Sequence, residues 1–261
     1  MNYETSSAEF RKLCRQGEWL KPTPGLASGY VQANLIVLPK SVAFEFLLFC
    51  TRNPKPCPLL DVTEAGDPEP RIVAPGADIR TDLPKYRVFS HGQLVEEVTN
   101  ITHLWRDDFV AFITGCSFSF EFALLTADVP VRHIEENKNV PMYKTNINCQ
   151  SAGIFSGPLV VSMRPLSSNN AIRAVQITGR YSKAHGTPIH LGNPQQIGIS
   201  DINAPDFGDA VTIKEDEIPV FWACGVTAQA ALLQAKPEIA IAHAPGHMFV
   251  TDIKDESLAN D

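Results

Sequence analysis

The chain has 261 residues, enough for one large domain or two small ones with proper cores. Hydrophobic residues make up 44% and charged residues 20%, ordinary values that speak against disorder along the whole chain. The net charge is −7 and Lys and Arg are scattered, so no basic run exists to track a phosphate backbone and nucleic-acid binding is disfavoured.

The opening MNYETSSAEF lacks a basic stretch followed by an apolar one, so no secretory signal is expected. The longest apolar stretch, residues 42–50, carries Glu45 and is far too short to span a bilayer. Cysteines at 14, 50, 57, 116, 149 and 224 form no CxxC pair and suit neither a zinc cage nor a disulfide framework. A cytoplasmic protein with free thiols is the expectation.

In chain order, the first element is a helix capped by Ser6 or Ser7, with Glu9 near N3 and Phe10, Leu13 and Cys14 on one face until Gly17. Leu35-Ile-Val-Leu38 reads as a buried strand, residues 40–51 as a helix, and Leu59-Leu-Asp-Val-Thr63 as the next strand. Strands follow at 86–89 and 93–98. Residues 104–115 read as helix, from Trp105, Phe109, Phe112 and Ile113 at helical spacing, and 117–126 as another. The middle is richer in strand signals, at 157–163 and 171–177, with a turn at 167–170 between them. The end returns to strand 220–223, helix 227–235, strand 239–242 and a last strand at 248–250. The polar tail from 254 is expected to fray. The whole reads as a layered α/β sandwich, with a main α/β domain at 1–125 and 210–261 and a smaller, strand-rich α+β subdomain inserted at 126–209.

Four segments gather groups suited to chemistry. Gly115-Cys-Ser-Phe-Ser-Phe-Glu121 places a thiol, two hydroxyls and a carboxylate in seven residues. If Ser117 opens a helix, N–H groups there face an anion, and Cys116 beside that terminus gains a lowered pKa. The plain alternative is a buried Cys116, an N-cap at Ser117 and an ordinary first-turn Glu121. Ser162-Met-Arg-Pro165 puts Arg164 at a strand end, either to hold a carboxylate by a fork or merely to close the strand. Trp222-Ala-Cys-Gly-Val-Thr227 is a strand, a glycine turn and a capping Thr227, a connection that often faces ligands. His243-Ala-Pro-Gly-His247 is followed by Asp252. Pro245 and Gly246 argue against a zinc helix. Acid–base or substrate-binding histidines are the more natural reading, beside plain structural hydrogen bonding. No Walker loop, GxGxxG or GxSxG occurs, so a nucleotide cofactor is not indicated.

Taken in order, GCSFSFE, Arg132-His133, SMRP, FWACGVT and HAPGHMFVTD, with the opening GLASGYVQANLIVLP, resemble the D-glutamate cyclase family, whose bacterial members mostly carry a hydro-lyase name. The resemblance spans nearly the whole chain. It implies a two-part α/β architecture, no organic cofactor, and a lyase that converts D-glutamate to 5-oxo-D-proline and water. A hydro-lyase of another small hydroxy or amino acid, a non-catalytic binder of a small acid, and a metal-dependent hydrolase using His243, His247 and Asp252 are the alternatives.

Ring closure needs a clamp, oxyanion donors and proton transfers. Chemistry therefore assigns catalytic roles to Cys116, Glu121, His243 and His247. Substrate binding falls to Ser117, Ser119, Arg132, Arg164, Thr227 and Asp252, with no metal. A substrate carboxylate near Glu121 would raise its pKa and fit it to donate a proton. The 115–121 and 243–247 segments are expected to share one cleft. The partner expected is a small-molecule amino acid, with no nucleic acid and no membrane, and a homodimer is compatible with this.

Overall fold

A computed structural model describes residues 5–259. Two antiparallel sheets with helices between and around them build the expected α/β class.

The first sheet has seven strands. Its centre is β1 (Tyr30–Pro39), whose residues 31–39 are all buried. β5 (Phe109–Thr114) pairs along one edge of β1, from Asn34 opposite Thr114 to Pro39 opposite Phe109. The other edge is shared. β10 (Ile239–His243) takes Ile36 and Val37, and β11 (Phe249–Lys254) takes Tyr30 to Ala33. β2 (Leu59–Val62), β3 (Tyr86–Ser90) and β4 (Gln93–Val98) complete the order β2-β5-β1-β10-β3-β4. Side chains alternate along β1. Ile36 and Leu38 face α2 (Lys40–Arg52) and α6 (Val226–Ala235), whereas Ala33, Leu35 and Val37 face the loops around Val73 to Leu83. No helix among the described residues is long and apolar enough to cross a membrane.

The second sheet has the order β6-β7-β9-β8: β6 (Met142–Asn148), β7 (Pro158–Ser167), β9 (Glu217–Ala223) and β8 (His190–Leu191). We propose it as the core of the second unit, which then takes in β9, beyond the expected boundaries of 126–209. Its Leu166, Val220 and Trp222 face α3 (Phe118–Thr126) and α5 (Ser168–Gly179). The opposite face packs Val161, Met163 and Phe221 under the loops carrying Ile197, Ile199 and Val211.

α1 (Ser7–Arg15) opens with the capping box expected at Ser6 and Glu9. Three segments differ from their sequence reading. Residues 109–114 are not helical: Phe-Val-Ala-Phe-Ile-Thr is a fully buried central strand, and its aromatic spacing mimics a helical face. Residues 171–177 are not a strand. Ser167 Oγ accepts from the Asn170 N–H and caps α5, whose Ala171, Ala174 and Thr178 line the buried face at helical spacing. The tail does not fray at 255–258: a short 3₁₀ turn buries Asp255 and Leu258. Asn260 and Asp261 lie outside the described residues.

Candidate functional site

Alternation along β7 turns Ser162, Arg164 and Leu166 toward α3. Arg164 is fully buried there. Its Nε lies 3.1 Å from Glu121 Oε1, and its Nη2 donates to the same oxygen. Nη1 donates to Ser162 Oγ and Nη2 also to Ser117 Oγ, at 3.0 and 3.1 Å. The rings of Phe120 and Trp222 lie 5.0 and 5.2 Å from the guanidinium. From α4 (Arg132–Glu135), His133 brings Nε2 to 3.4 Å of Glu121 Oε1. Arg164 thus holds a carboxylate, but that carboxylate is the protein's own.

Burial alone would raise the Glu121 pKa. Arg164 and His133 overcome it and hold the carboxyl down at about 2. The raised value expected from a substrate carboxylate is therefore reversed, because the nearest charge is a cation. Arg164 and His133 thus favour the ionised form of Glu121, the opposite of what a general acid needs.

Two turns at the edge of this cluster share one geometry. After β5, Cys116 precedes Ser117, the first residue of the α3 turn, at φ −62° and ψ −18°. After β9, Cys224 precedes Gly225 at φ −60° and ψ −20°, opening α6. Neither helix has a side-chain cap. The Ser119 N–H donates to Cys116 O at 3.3 Å, and the Thr227 N–H to Cys224 O at 3.0 Å. Each thiol lies against the amide two residues on, Phe118 for Cys116 and Val226 for Cys224. As whole residues Cys116 and Cys224 are of intermediate exposure, but their sulfurs are desolvated.

Asn34 of β1 joins the two turns. Its Nδ2 donates to Gly115 O at 2.8 Å. A Cβ placed on Gly225 would come within 2.6 Å of that same nitrogen. Only glycine lets the α6 turn approach Asn34 so closely. The sequence reading draws attention to this segment through Thr227 and passes over Cys224. The signal that could have found it is the repeated strand–Cys–helix start.

Desolvation pushes the Cys116 thiol up to about 12, outweighing the helix amide expected to lower it. Desolvation also raises Cys224, partly offset by the Val226 N–H and Arg164. Both thiols feel the Glu121 charge.

The other sequence candidates lie elsewhere or are occupied. Arg132 is tied to Glu135, Glu217 and the Thr212 carbonyl. Thr227 Oγ1 accepts from the Val160 N–H at 3.0 Å, locking α6 to β7. Asp252 binds Ser7 and Arg11, anchoring α1. Ser119 lies beside Asp255, with no hydrogen bond of normal geometry to its Oγ. His243 and His247 do not join the 115–121 segment. His243 follows Ile239 and Ile241 on the loop-covered face of the first sheet, opposite α6. There its Nδ1 accepts from the Leu35 N–H at 3.2 Å, replacing a ladder bond where β10 ends. Burial lowers its pKa to about 4. His247 Nδ1 lies 2.8 Å from Pro245 O. Among the described residues, no group of three or more His, Cys, Asp or Glu is arranged to hold a metal ion.

The profile of the family described as D-glutamate cyclase matches residues 110–252, which include both cysteine turns and the Arg164 cluster. Proteins bearing the name "Putative hydro-lyase" are similar over almost their full length. The one from Geobacillus kaustophilus is 64% identical over 97% of this chain and 96% of its own. That from Bacillus velezensis is 61% identical over 98% and 97%. That from Bacillus subtilis is 61% identical over 96% and 98%. A nitrogen repressor-like protein of Methanococcus jannaschii aligns over 90% of this chain and 91% of its own with a TM-score of 0.39 and 10% identity, too slight a likeness to bear on the fold.

Proposed function

Because the chain belongs to the D-glutamate cyclase family, we propose that it is a hydro-lyase that closes D-glutamate to 5-oxo-D-proline with loss of water. The observation that carries this reading is the meeting, at Asn34, of the starts of two helices that have no side-chain caps, α3 and α6. The Ser119 and Thr227 amides bond back to the Cys116 and Cys224 carbonyls, so the amides facing outward at the two starts are the ones before them, at the positive end of the helix dipole. Two such termini suit a substrate with two carboxyl groups.

In this reading one terminus holds the α-carboxylate and the other the γ-carboxyl group. The amine, already in the same molecule, attacks the γ-carbon. The amides then face the oxyanion of the tetrahedral intermediate, each such donor contributing roughly 3–4 kcal/mol. Cys116 keeps its proton at neutral pH, which suits it to protonate the departing hydroxide. Glu121 and Arg164 do not touch the substrate; they fix Ser117 and hence the α3 turn. A hydroxy acid would use the same amides, and a protein that only binds small acids would need no thiol there.

A proton NMR time course with D-glutamate, L-glutamate and both 5-oxoprolines tests the reading, with a panel of small hydroxy acids alongside. Conversion of D-glutamate to its lactam is expected. Turnover of a hydroxy acid alone, or tight binding with no turnover of any compound, overturns it.

A further inference from the structure

We propose that Asp255 and Ser119 form a subsite for the ammonium group of a small amino acid, and that Asp255 is the base that takes the protons this amine gives up when the ring closes.

Packing brings the 3₁₀ turn Asp255–Leu258 to the start of α3. Gly115, between β5 and α3, lies so close to the turn Ser182–Ala184 that an added Cβ would collide with the Lys183 carbonyl oxygen and meet Ala184 Cα at 3.5 Å. Ala184 shares a core with Leu258 and with Val31 of β1. The Asp255 N–H donates to Gly29 O at 3.0 Å, just before β1 begins. A helical side chain leans toward the N-terminus of its helix. Ser119, in the first turn of α3, and the Asp255 carboxyl beside it therefore stand level with the outward-facing amides of that turn.

What this pair lacks names its ligand. Ser119 and Asp255 are only 1% and 7% exposed, and Ser119 Oγ and Asp255 Oδ1 have no hydrogen-bond partner among the described residues. A hydroxyl and a carboxylate side by side could satisfy each other, yet no bond of normal geometry joins them. Two buried polar atoms left open cost free energy unless something bound there completes them. An ammonium group brings several N–H donors together with the positive charge that a buried carboxylate needs. Lys254, the cation that precedes Asp255, is drawn to the Tyr30 ring instead, its Nζ 3.4 Å from the centroid. Burial lifts the Asp255 carboxyl to about 6, just under neutral pH, where a base is both present as carboxylate and ready to accept a proton.

The chemistry balances without an oxidant or a co-reactant. The ammonium carries three hydrogens; one stays on the lactam nitrogen and two leave in the water. Asp255 takes the first, which frees the nitrogen electron pair to bond the γ-carbon, and passes it to a γ-carboxyl oxygen. It takes the second once the N–C bond exists, and this replaces the proton that Cys116 gives as the C–O bond breaks. Asp255 ends as the carboxylate it began.

The base role rests on the cyclase reading; the ammonium subsite does not. The experiment compares D-glutamate with glutarate, which keeps both carboxylates and has no amine, on the full chain and its variants. Calorimetric titration reads affinity, replaced by half-saturation and the glutarate inhibition constant where turnover occurs, and NMR reads lactam formation. Asp255→Asn should weaken D-glutamate about tenfold or more, the loss of a hydrogen bond to a charged group, and leave glutarate within about twofold. Lactam formation should fall about a hundredfold or more, in a variant that melts no lower than the wild type at neutral pH. Ser119→Ala, which leaves the carboxylate in place, should also weaken D-glutamate and spare glutarate. Equal losses for the two compounds, or D-glutamate affinity and turnover that Asp255→Asn leaves unchanged, overturn the subsite; lactam formation by the wild type then leaves the cyclase reading standing. Amine-specific loss of binding with no lactam from the wild type overturns the cyclase reading and leaves the subsite. Amine-specific loss of binding with undiminished turnover overturns the base role. Neither binding nor turnover of D-glutamate by the wild type overturns both.

Discussion

Arg164 grips Glu121 by a single carboxylate oxygen, with Nε at 3.1 Å and Nη2 on the same atom, in a pocket closed by Phe120 and Trp222. Both residues are buried, so removing either partner strands a charge. Such a loss costs about 3–5 kcal/mol. Arg164→Lys cannot reach Ser117, Ser162 and Glu121 at once. It should lower the melting temperature by roughly ten degrees, at the few degrees per kcal/mol usual for a chain of this size. A variant that melts like the wild type and only raises the half-saturation for D-glutamate would return Arg164 to the role of substrate clamp.

Much of the architecture is legible in the sequence. Ser6 and Glu9 mark the start of α1, Asn53-Pro54 the end of α2, and the buried strand at Leu35–Leu38 is the middle of β1. What the sequence hides has physical causes. Phe109, Phe112 and Ile113 fit a helical face, but a central strand buried on both sides has no polar alternation to betray it. Arg164 reads as a strand end because Pro165 follows it, yet β7 runs on to Ser167 with Pro165 opposite Pro219. The expected meeting of 115–121 with His243 and His247 rests on loops at strand ends of parallel sheets. β5 and β10 both end at the same end of β1, beside Asn34 and Leu35, but on its two sides, and alternation puts His243 on the other face. Cys224 becomes visible as a candidate only once the two cysteine turns are brought together at Asn34.

Two buried histidines should make the protein sensitive to mild acid. Desolvation holds His243 and His185 at about 4, against 6.5 in the unfolded chain. Between pH 6.5 and 4 the unfolded chain binds these protons and the folded one does not, so stability falls as pH falls through that window. Each group accounts for up to about 3 kcal/mol, because a tenfold change in proton affinity is worth about 1.4 kcal/mol. Urea unfolding from about pH 7.5 to 4 should show this slope, and His243→Asn should flatten part of it. An unchanged slope in that variant would show that His243 is protonated alike in both states.

Asp255 acts in the opposite sense. Burial lifts its pKa from 3.8 to about 6, and Oδ1 has no hydrogen-bond partner among the described residues. The folded state therefore favours the protonated form. Its contribution is best below pH 3.8 and is lost as pH rises through 6. Asp255→Asn should stabilise the chain at neutral pH by up to about 3 kcal/mol and should have little effect near pH 4. Equal melting temperatures for the two proteins at neutral pH would contradict this.

The six cysteines are free in the structure, and a thiol reagent without reductant should count six in the denatured chain. Under native conditions their order of reaction follows exposure. Cys116, Cys149 and Cys224 are of intermediate exposure and should react before the buried Cys14, Cys50 and Cys57, but slowly, because burial raises all three thiols. Mass spectrometry of a timed alkylation reads the order directly. Early labelling of Cys57, which lies wholly inside beside Cys50, would mean that the packing around α2 opens far more readily than its burial implies.

Gly225 offers the sharpest test of how the site is assembled. Its backbone angles suit any residue, so Gly225→Ala brings no backbone strain and even favours the unfolded chain less. The added methyl, however, meets the Asn34 amide at 2.6 Å, where real contacts do not occur. Asn34 must then leave the Gly115 carbonyl, or the α6 turn must draw back with Cys224. Either movement separates the two cysteine turns while the Arg164 cluster and the cores stay intact. Gly225→Ala should therefore melt within a few degrees of the wild type and lose about tenfold or more of its turnover, because displacements of about 1 Å are costly in a preorganised site. Shortening the obstacle supplies the control. Asn34→Ala removes the clash, so in the double variant the second substitution should cost less turnover than it does alone, a coupling expected only for residues in contact. Strict additivity of the two losses would show that Gly225 and Asn34 act separately, and that the two turns are not held together through this contact.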